Sequence, residues 1–206
     1  MINHDLKHRI LEISKKLHLA HIGSCLSILP ILEEIYSKKN IEDKVILDGA
    51  HSHLAHLVVK EAHEKEIGNI LLIDNVQVDS IAEQVIRMFG IHCDIRAGCD
   101  ASGGSLGHAG GISIGLSIAN RHRKVYTIFT DGSISEGSFY EVMRIRNKLK
   151  LTNMKCYFNI NGYTAVEKID KKEIVKRIIC LCPDAEIRLT TNGKGFEGVA
   201  GHYKQL

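Results

Sequence analysis

Apolar positions recur along this chain at two spacings, every three to four residues and in short unbroken runs. Residues 3 to 19 place Leu6, Ile10, Leu11, Ile13, Leu17 and Leu19 at helical intervals. After His21-Ile22-Gly23-Ser24 a second helix is predicted through Leu26 to Tyr36, with Ser24 as its N-cap. Lys44 to Gly49 reads as a short strand ending in a turn, and His51 to Lys65 as a helix. Asn69 to Asp74 fits strand or helix, whereas Ser80 to Phe89 is helical and closed by Gly90. A glycine-rich loop, Gly98 to Gly104, leads into a small-residue helix over Gly107 to Asn120. The run Lys124 to Thr130 is a buried strand with a polar end at Asp131-Gly132, and Glu136 to Leu149 is a helix. A further strand, Lys155 to Ile160, ends at Asn161-Gly162, followed by a helix over Lys171 to Leu181 and a strand over Ala185 to Thr190. Strands alternating with helices predict an α/β layer with a mostly parallel sheet flanked by helices. No repeat, linker or low-complexity tract interrupts the pattern, so residues 1–206 are expected to form one domain.

Composition narrows the function classes. A chain of 206 residues can bury a core without disulfide help. No apolar stretch reaches the roughly 18 residues of a membrane span. The first residues, MINHDLKHRILEISKK, carry mixed charge and lack the apolar region of a signal peptide, so a cytoplasmic location is the default expectation. Lys+Arg of 27 against Asp+Glu of 24 leaves a net charge of +3, which gives no argument for nucleic acid and a mild preference for anionic ligands. The six cysteines are irregularly spaced and predict reduced, mostly buried thiols rather than a disulfide framework. Glycine is concentrated at Gly98, Gly103, Gly104, Gly107, Gly110, Gly111 and Gly115, where backbone can approach backbone or a ligand.

Ligands of open α/β sheets sit beyond the carboxyl ends of the strands. Two predicted strands end there in hard oxygen donors, Asp131 and Asn161, each followed by a glycine and separated by one helical crossover. A carboxylate, an amide oxygen and a backbone carbonyl suit Mg²⁺ or Ca²⁺, with phosphate oxygens completing the shell. The same dipeptides also read as plain turns. No P-loop motif occurs. The single G-x-G-x-x-G, Gly193 to Gly198, has too few residues after it to open a dinucleotide-binding unit. His21 and His51 stand at element junctions from which a ring can reach a pocket, while His4, His8, His18 and His63 read as solvated helix positions. His92-Cys93-Asp94 and Cys99 present no four-ligand zinc pattern.

At these segments the chain resembles the N-terminal, diphosphate-binding half of transketolase. Ala20-His21-Ile22-Gly23-Ser24, Leu47-Asp48-Gly49-Ala50-His51 and His92-Cys93-Asp94 are similar to family segments in the same order. Ser102-Gly103-Gly104-Ser105-Leu106-Gly107-His108 is close to S-T-G-S-L-G-H/Q. Thr130-Asp131-Gly132 with Glu136-Gly137 resembles G-D-G-x-x-x-E-G, Asn159-Ile160-Asn161-Gly162 resembles D-x-N-G, and Thr190 to Gly195 resembles T-x-K-G-K-G. The resemblance implies thiamine diphosphate as cofactor, with a divalent cation held by Asp131, the Asn161 side chain and the Tyr163 carbonyl. It implies that Gly132 donates its N–H to the diphosphate and that Gly104, Ser105 and Leu106 line the cofactor rings. His51 would touch the diphosphate and His21 the sugar. His202 would lie near the reaction centre, and Glu136 would be the buried carboxylate linking paired sites, with a first-turn helix carboxylate facing the dipole as the other reading of that residue.

The implied chemistry is two-carbon ketol transfer between sugars or sugar phosphates, in which the cofactor carries the hard step. The carboxylate that contacts the aminopyrimidine belongs to the family's second half, and no candidate for that half is found in this sequence. The expectation is therefore a separate pyrimidine-domain partner chain, self-association, and a heterotetramer. A 1-deoxyxylulose-phosphate-synthase-like or branched-sugar reaction is an alternative, as is a non-catalytic degenerate partner subunit. Thr130 stands where the family has glycine, Ile22 where it has proline and Asn192 where it has lysine.

Overall fold

The computed structural model describes residues 4–63, 80–164 and 167–191. Its centre is a sheet of four parallel strands in the order β1-β2-β3-β4, namely β1 (Lys44–Leu47), β2 (Val125–Thr130), β3 (Met154–Ile160) and β4 (Glu186–Leu189). Strands β2 and β3 are nearly continuous apolar runs because helices cover both of their faces.

One face is covered by α1 (His4–Leu17), α2 (Ile22–Tyr36), α3 (His53–His63) and α4 (Ile81–Phe89), packed on Val45, Leu47, Tyr126, Ile128 and Tyr157. The opposite face is covered by α5 (His108–Ala119), the short α6 (Asp131–Ile134), α7 (Gly137–Lys148) and α8 (Lys171–Leu181). There Phe129, Phe139 and Phe158 pack ring on ring, with centroids 5.2–5.9 Å apart. Alternate residues of each strand thus feed alternate cores. Gly110 lets α5 close on α7, since a Cβ there would stand 2.8 Å from Val142 Cγ1.

The predicted elements are present with small boundary shifts, and three readings need correction or comment. Ser24 is not the N-cap of α2. The helix starts earlier, at Ile22, and its N-cap is His21 in the left-handed region with φ 62°. Ser24 is buried inside the first turn, where its carbonyl accepts the Ser27 hydroxyl at 3.0 Å. The helix expected from His51 begins as a 3-10 turn over Ala50–Ser52 before α3. Beyond Thr130 the chain makes the extra turn α6, closed by Ser133 Oγ, which accepts the Thr130 N–H at 2.9 Å. The stretch Asn69 to Asp74 and the Gly193 to Gly198 segment lie outside the described residues. All six cysteines are free thiols, and five of them are buried.

Glu83 joins α1 to α4. Its side chain is 2% exposed and meets Lys16 and Arg87 at 3.1 and 2.9 Å. Burial would raise its pKa, but the two cations outweigh that and hold it below the usual 4.5. A carboxylate lowered in the folded state adds stability above its unfolded pKa and loses it as pH falls through the folded value. Glu83→Gln is therefore expected to cost about 1–2 kcal/mol near neutral pH. The deficit should shrink as pH drops below about 4.5, as read from urea unfolding of both proteins across that range.

Candidate functional site

The candidate site is built at the carboxyl ends of β1, β2 and β3, where three loops are held by buried polar side chains. Asp131, 0% exposed, follows β2 and reaches across to the turn after β3. Its Oδ2 accepts the Asn161 N–H at 2.8 Å and its Oδ1 the Gly162 N–H at 3.1 Å. Burial pushes this carboxyl upward, against the pull of those two N–H groups and the charge of Lys171. Asn161 folds back on its own turn, with Oδ1 accepting the Tyr163 N–H at 3.0 Å. Gly162 takes φ 90°, a conformation that suits glycine.

Asp48 does the same at the neighbouring strand. Its Oδ2 accepts the Gly107 N–H at 2.8 Å and its Oδ1 the Ala109 N–H at 3.0 Å, so β1 holds the start of α5. Burial raises the Asp48 carboxyl, opposed by hydrogen bonds from Ser133, Gly107 and Ala109. Ser133 belongs to α6, so Asp48 also ties the β1 end to the β2 end. Beneath the third loop, Ser27 Oγ of α2 accepts the Asn159 and Asn161 side-chain amides at 2.9 and 3.4 Å. Asn159 Oδ1 in turn accepts the Thr190 hydroxyl at 2.6 Å.

These loops border a narrow pocket, partly open to solvent, lined by Ser24, His51, Leu106, Thr130, Gly132, Asn159, Asn161, Tyr163 and Thr164. The structure therefore brings together five residues singled out from sequence: His51, Leu106, Gly132, Asn161 and Tyr163. Asp131 braces the pocket from behind. His21 joins from the rim, its ring centroid 4.7 Å from that of His51. Gly104 and Ser105 are exposed on the loop before Leu106, and a Cβ on Gly104 would lie 3.7 Å from the His92 ring. Glu136 stands apart as the exposed N-cap of α7, and its side chain makes no cap hydrogen bond. His202 lies outside the described residues.

Several contributors were given no role at the site from sequence. Asp48, Ser24 and Asn159 lie inside family-like segments but were assigned no ligand role there, Ser24 being read as an N-cap. Ser27 looks like an ordinary helix position. Thr130, the departure from glycine, supplies a pocket wall. The methyl group of Thr130 also explains why Gly49 lacks a side chain, since a Cβ there would sit 2.7 Å from Thr130 Cγ2.

The donor set at this sheet edge consists of a carboxylate, an amide oxygen and main-chain groups. Such groups bind hard cations and phosphate oxygens. No protein-family profile matches the chain. Over 170 residues it is 27% identical to an apulose-4-phosphate transketolase subunit of Phocaeicola vulgatus, a match covering 75% of this chain and 58% of that protein. Over 188 residues it is 26% identical to the 6-deoxy-6-sulfo-D-fructose transketolase subunit SqwG of Clostridium sp. (strain MSTE9), covering 78% and 66%. These relatives support a transketolase-like family. Transketolase-like protein 2 of Mus musculus is 25% identical over 154 residues, covering 68% of this chain and 24% of that protein. The chain thus spans 58%, 66% and 24% of the lengths of these relatives. Its four parallel strands flanked by helices agree with the diphosphate-domain fold of transketolase subunits. Among the described residues, no helix is long and apolar enough to cross a membrane.

The Gly49–Thr130 contact gives a direct test of the packed strand ends. Gly49→Ala is expected to cost about 1–3 kcal/mol by overpacking. Adding Thr130→Ser, which keeps the hydroxyl and removes the methyl, should recover most of the loss. A double-mutant cycle in denaturant reads this coupling, and strict additivity of the two changes would argue against the contact.

Proposed function

We propose that this chain is the N-terminal, diphosphate-binding component of a split transketolase-like enzyme. The enzyme would transfer a two-carbon ketol unit between sugars or sugar phosphates. The observation that carries the reading is Asp131, buried behind the pocket and bonded to the 161–162 turn, with Gly132, Leu106, Asn161 and Tyr163 facing the same space.

The residues fit thiamine diphosphate and a divalent cation on two counts. Each oxygen of Asp131 spends one acceptor site on a backbone N–H and keeps another for a cation. Gly132 lines the pocket next to Asp131, where its main chain can serve a diphosphate, and its lack of a Cβ makes room for Leu106, whose Cδ1 would stand 2.7 Å from that atom. In this reading Asp131, Asn161 Oδ1 and the Tyr163 carbonyl hold Mg²⁺ or Ca²⁺. When bound, the cofactor supplies the nucleophilic carbon and the electron sink.

The protein's own side chains bind and orient. His51 hydrogen-bonds the diphosphate from the pocket wall, and His21 presents its ring to the hydroxyls of the sugar. Gly104, Ser105 and Leu106 border the cofactor rings. Glu136, exposed in the single chain, meets the paired site of a second copy, and His202 approaches the reacting sugar. A separate pyrimidine-domain chain completes the site in a heterotetramer. Two relatives named as subunits support that split arrangement.

Titration calorimetry of the chain mixed with its partner chain is expected to show thiamine diphosphate binding that requires Mg²⁺. Asp131→Ala should weaken that binding by at least the roughly 10–100-fold typical of changes just outside a metal's ligands. The chain alone should show negligible ketol transfer. Undiminished binding in Asp131→Ala would refute the cation assignment, and robust turnover by the isolated chain would refute the split site.

A further inference from the structure

A second cluster of polar side chains lies on the α2–α4 side of the sheet. His53, Cys93 and Cys99 are all buried, and their ligand atoms lie within 4.8 Å of one another. His53 Nε2 is 3.1 Å from Cys99 Sγ. His56, one turn further along α3, faces the same sulfur. Cys93 and Cys99 lie against each other as well. Among the described residues, this is the one group of three or more such side chains able to share an ion.

The imidazoles give an independent sign that something is missing. His53 and His56 are 0% and 2% exposed, yet the Nδ1 atom of each has no hydrogen-bond partner among the described residues. Buried polar atoms are nearly always paired, so each of these nitrogens asks for a partner. His53 turns Nε2 to Cys99, which leaves its Nδ1 facing away from the sulfur, whereas His56 gives Nε2 to Tyr36 and has Nδ1 left for the cluster. Two thiols with these imidazoles suit a soft or borderline cation, because thiolate and imidazole together select zinc over magnesium or calcium. In a tetrahedral zinc site, ligand atoms lie about 3.3–3.8 Å apart, so the observed cluster needs only small side-chain shifts.

We propose that His53, Cys93 and Cys99 form a structural zinc site, with His56 beside it for the fourth position. The Tyr36 hydroxyl, 2.7 Å from His56 Nε2, orients that ring from outside the cluster. The ion would join two segments that border the pocket. His53 directly follows the Ala50–Ser52 turn that carries His51. Cys93 holds the glycine loop, since its carbonyl accepts the Gly103 N–H at 2.9 Å. A metal on these ligands therefore cross-links the His51 turn to the loop leading into Leu106. It does so without touching the Asp131 site, and it stands whether or not that site takes thiamine diphosphate.

The test is elemental analysis of the untagged full chain, purified without chelator from cells supplied with zinc. The expected result is about one zinc per folded chain. Cobalt added to the apoprotein should give the thiolate-to-metal charge-transfer band and visible d–d bands of a tetrahedral site. Both zinc and the cobalt spectrum should be lost in Cys93→Ser/Cys99→Ser. Both should survive in Cys180→Ser, at the exposed thiol, and in Asp131→Asn, which separates this ion from the proposed magnesium site. Folded, reduced wild-type chain that holds no zinc and gives no cobalt spectrum overturns the proposal. So does zinc retained in the double-serine variant, or a stoichiometric Cys93–Cys99 disulfide in place of metal.

Discussion

The structure around the pocket depends on carboxylates buried at strand ends. Asp48 after β1 and Asp131 after β2 each give up water and accept two backbone N–H groups from a loop far along the chain. Burying a carboxylate costs several kcal/mol. Charge-assisted hydrogen bonds return about 1.5–3 kcal/mol each, so two per aspartate roughly balance that cost. Little net stability results, but geometry does: each loop can satisfy its aspartate in one arrangement only. Ser133 hydrogen-bonds Asp48 and caps the turn after Thr130, so the two anchored loops share a member. The pocket is consequently bordered by anchored loops, with His51, Leu106 and Tyr163 as its larger side chains.

Much of the fold was legible because burial and periodicity agree. Strands β2 and β3 are apolar throughout since they are covered on both faces, and the helices between them are long enough for their spacing to be unambiguous. The misreading of Ser24 has a local cause. A serine before an apolar run is a good N-cap by composition, yet His21 adopts the left-handed conformation and starts the helix three residues earlier. The turn over Asp131–Ile134 was equally hidden. Four residues carry no period, and the hydrogen bond that closes it runs from a backbone N–H to the side chain of Ser133.

At the site, legibility follows sequence distance. Asp131 and Asn161 could be noticed because each sits next to a glycine at the end of a readable strand. The bonds of Asp48 to Gly107 and Ala109, by contrast, span about sixty residues and leave no mark in either segment. The link from Ser27 to Asn159 spans twice that distance. The His53, Cys93 and Cys99 cluster joins a helix to a loop about forty residues away, so counting ligands along the chain found no four-residue pattern. Folding alone supplies the proximity.

His21 carries a consequence for how the pocket keeps its shape. A left-handed backbone costs an ordinary L-residue about 1–2 kcal/mol. Here the His21 carbonyl accepts the N–H groups of Ser24 and Cys25, both at 3.1 Å, and the first turn of α2 holds the residue in that conformation. The backbone that opens α2 is thus the same backbone that carries the ring 4.7 Å from His51, so the rim of the pocket and the first helical turn share one residue.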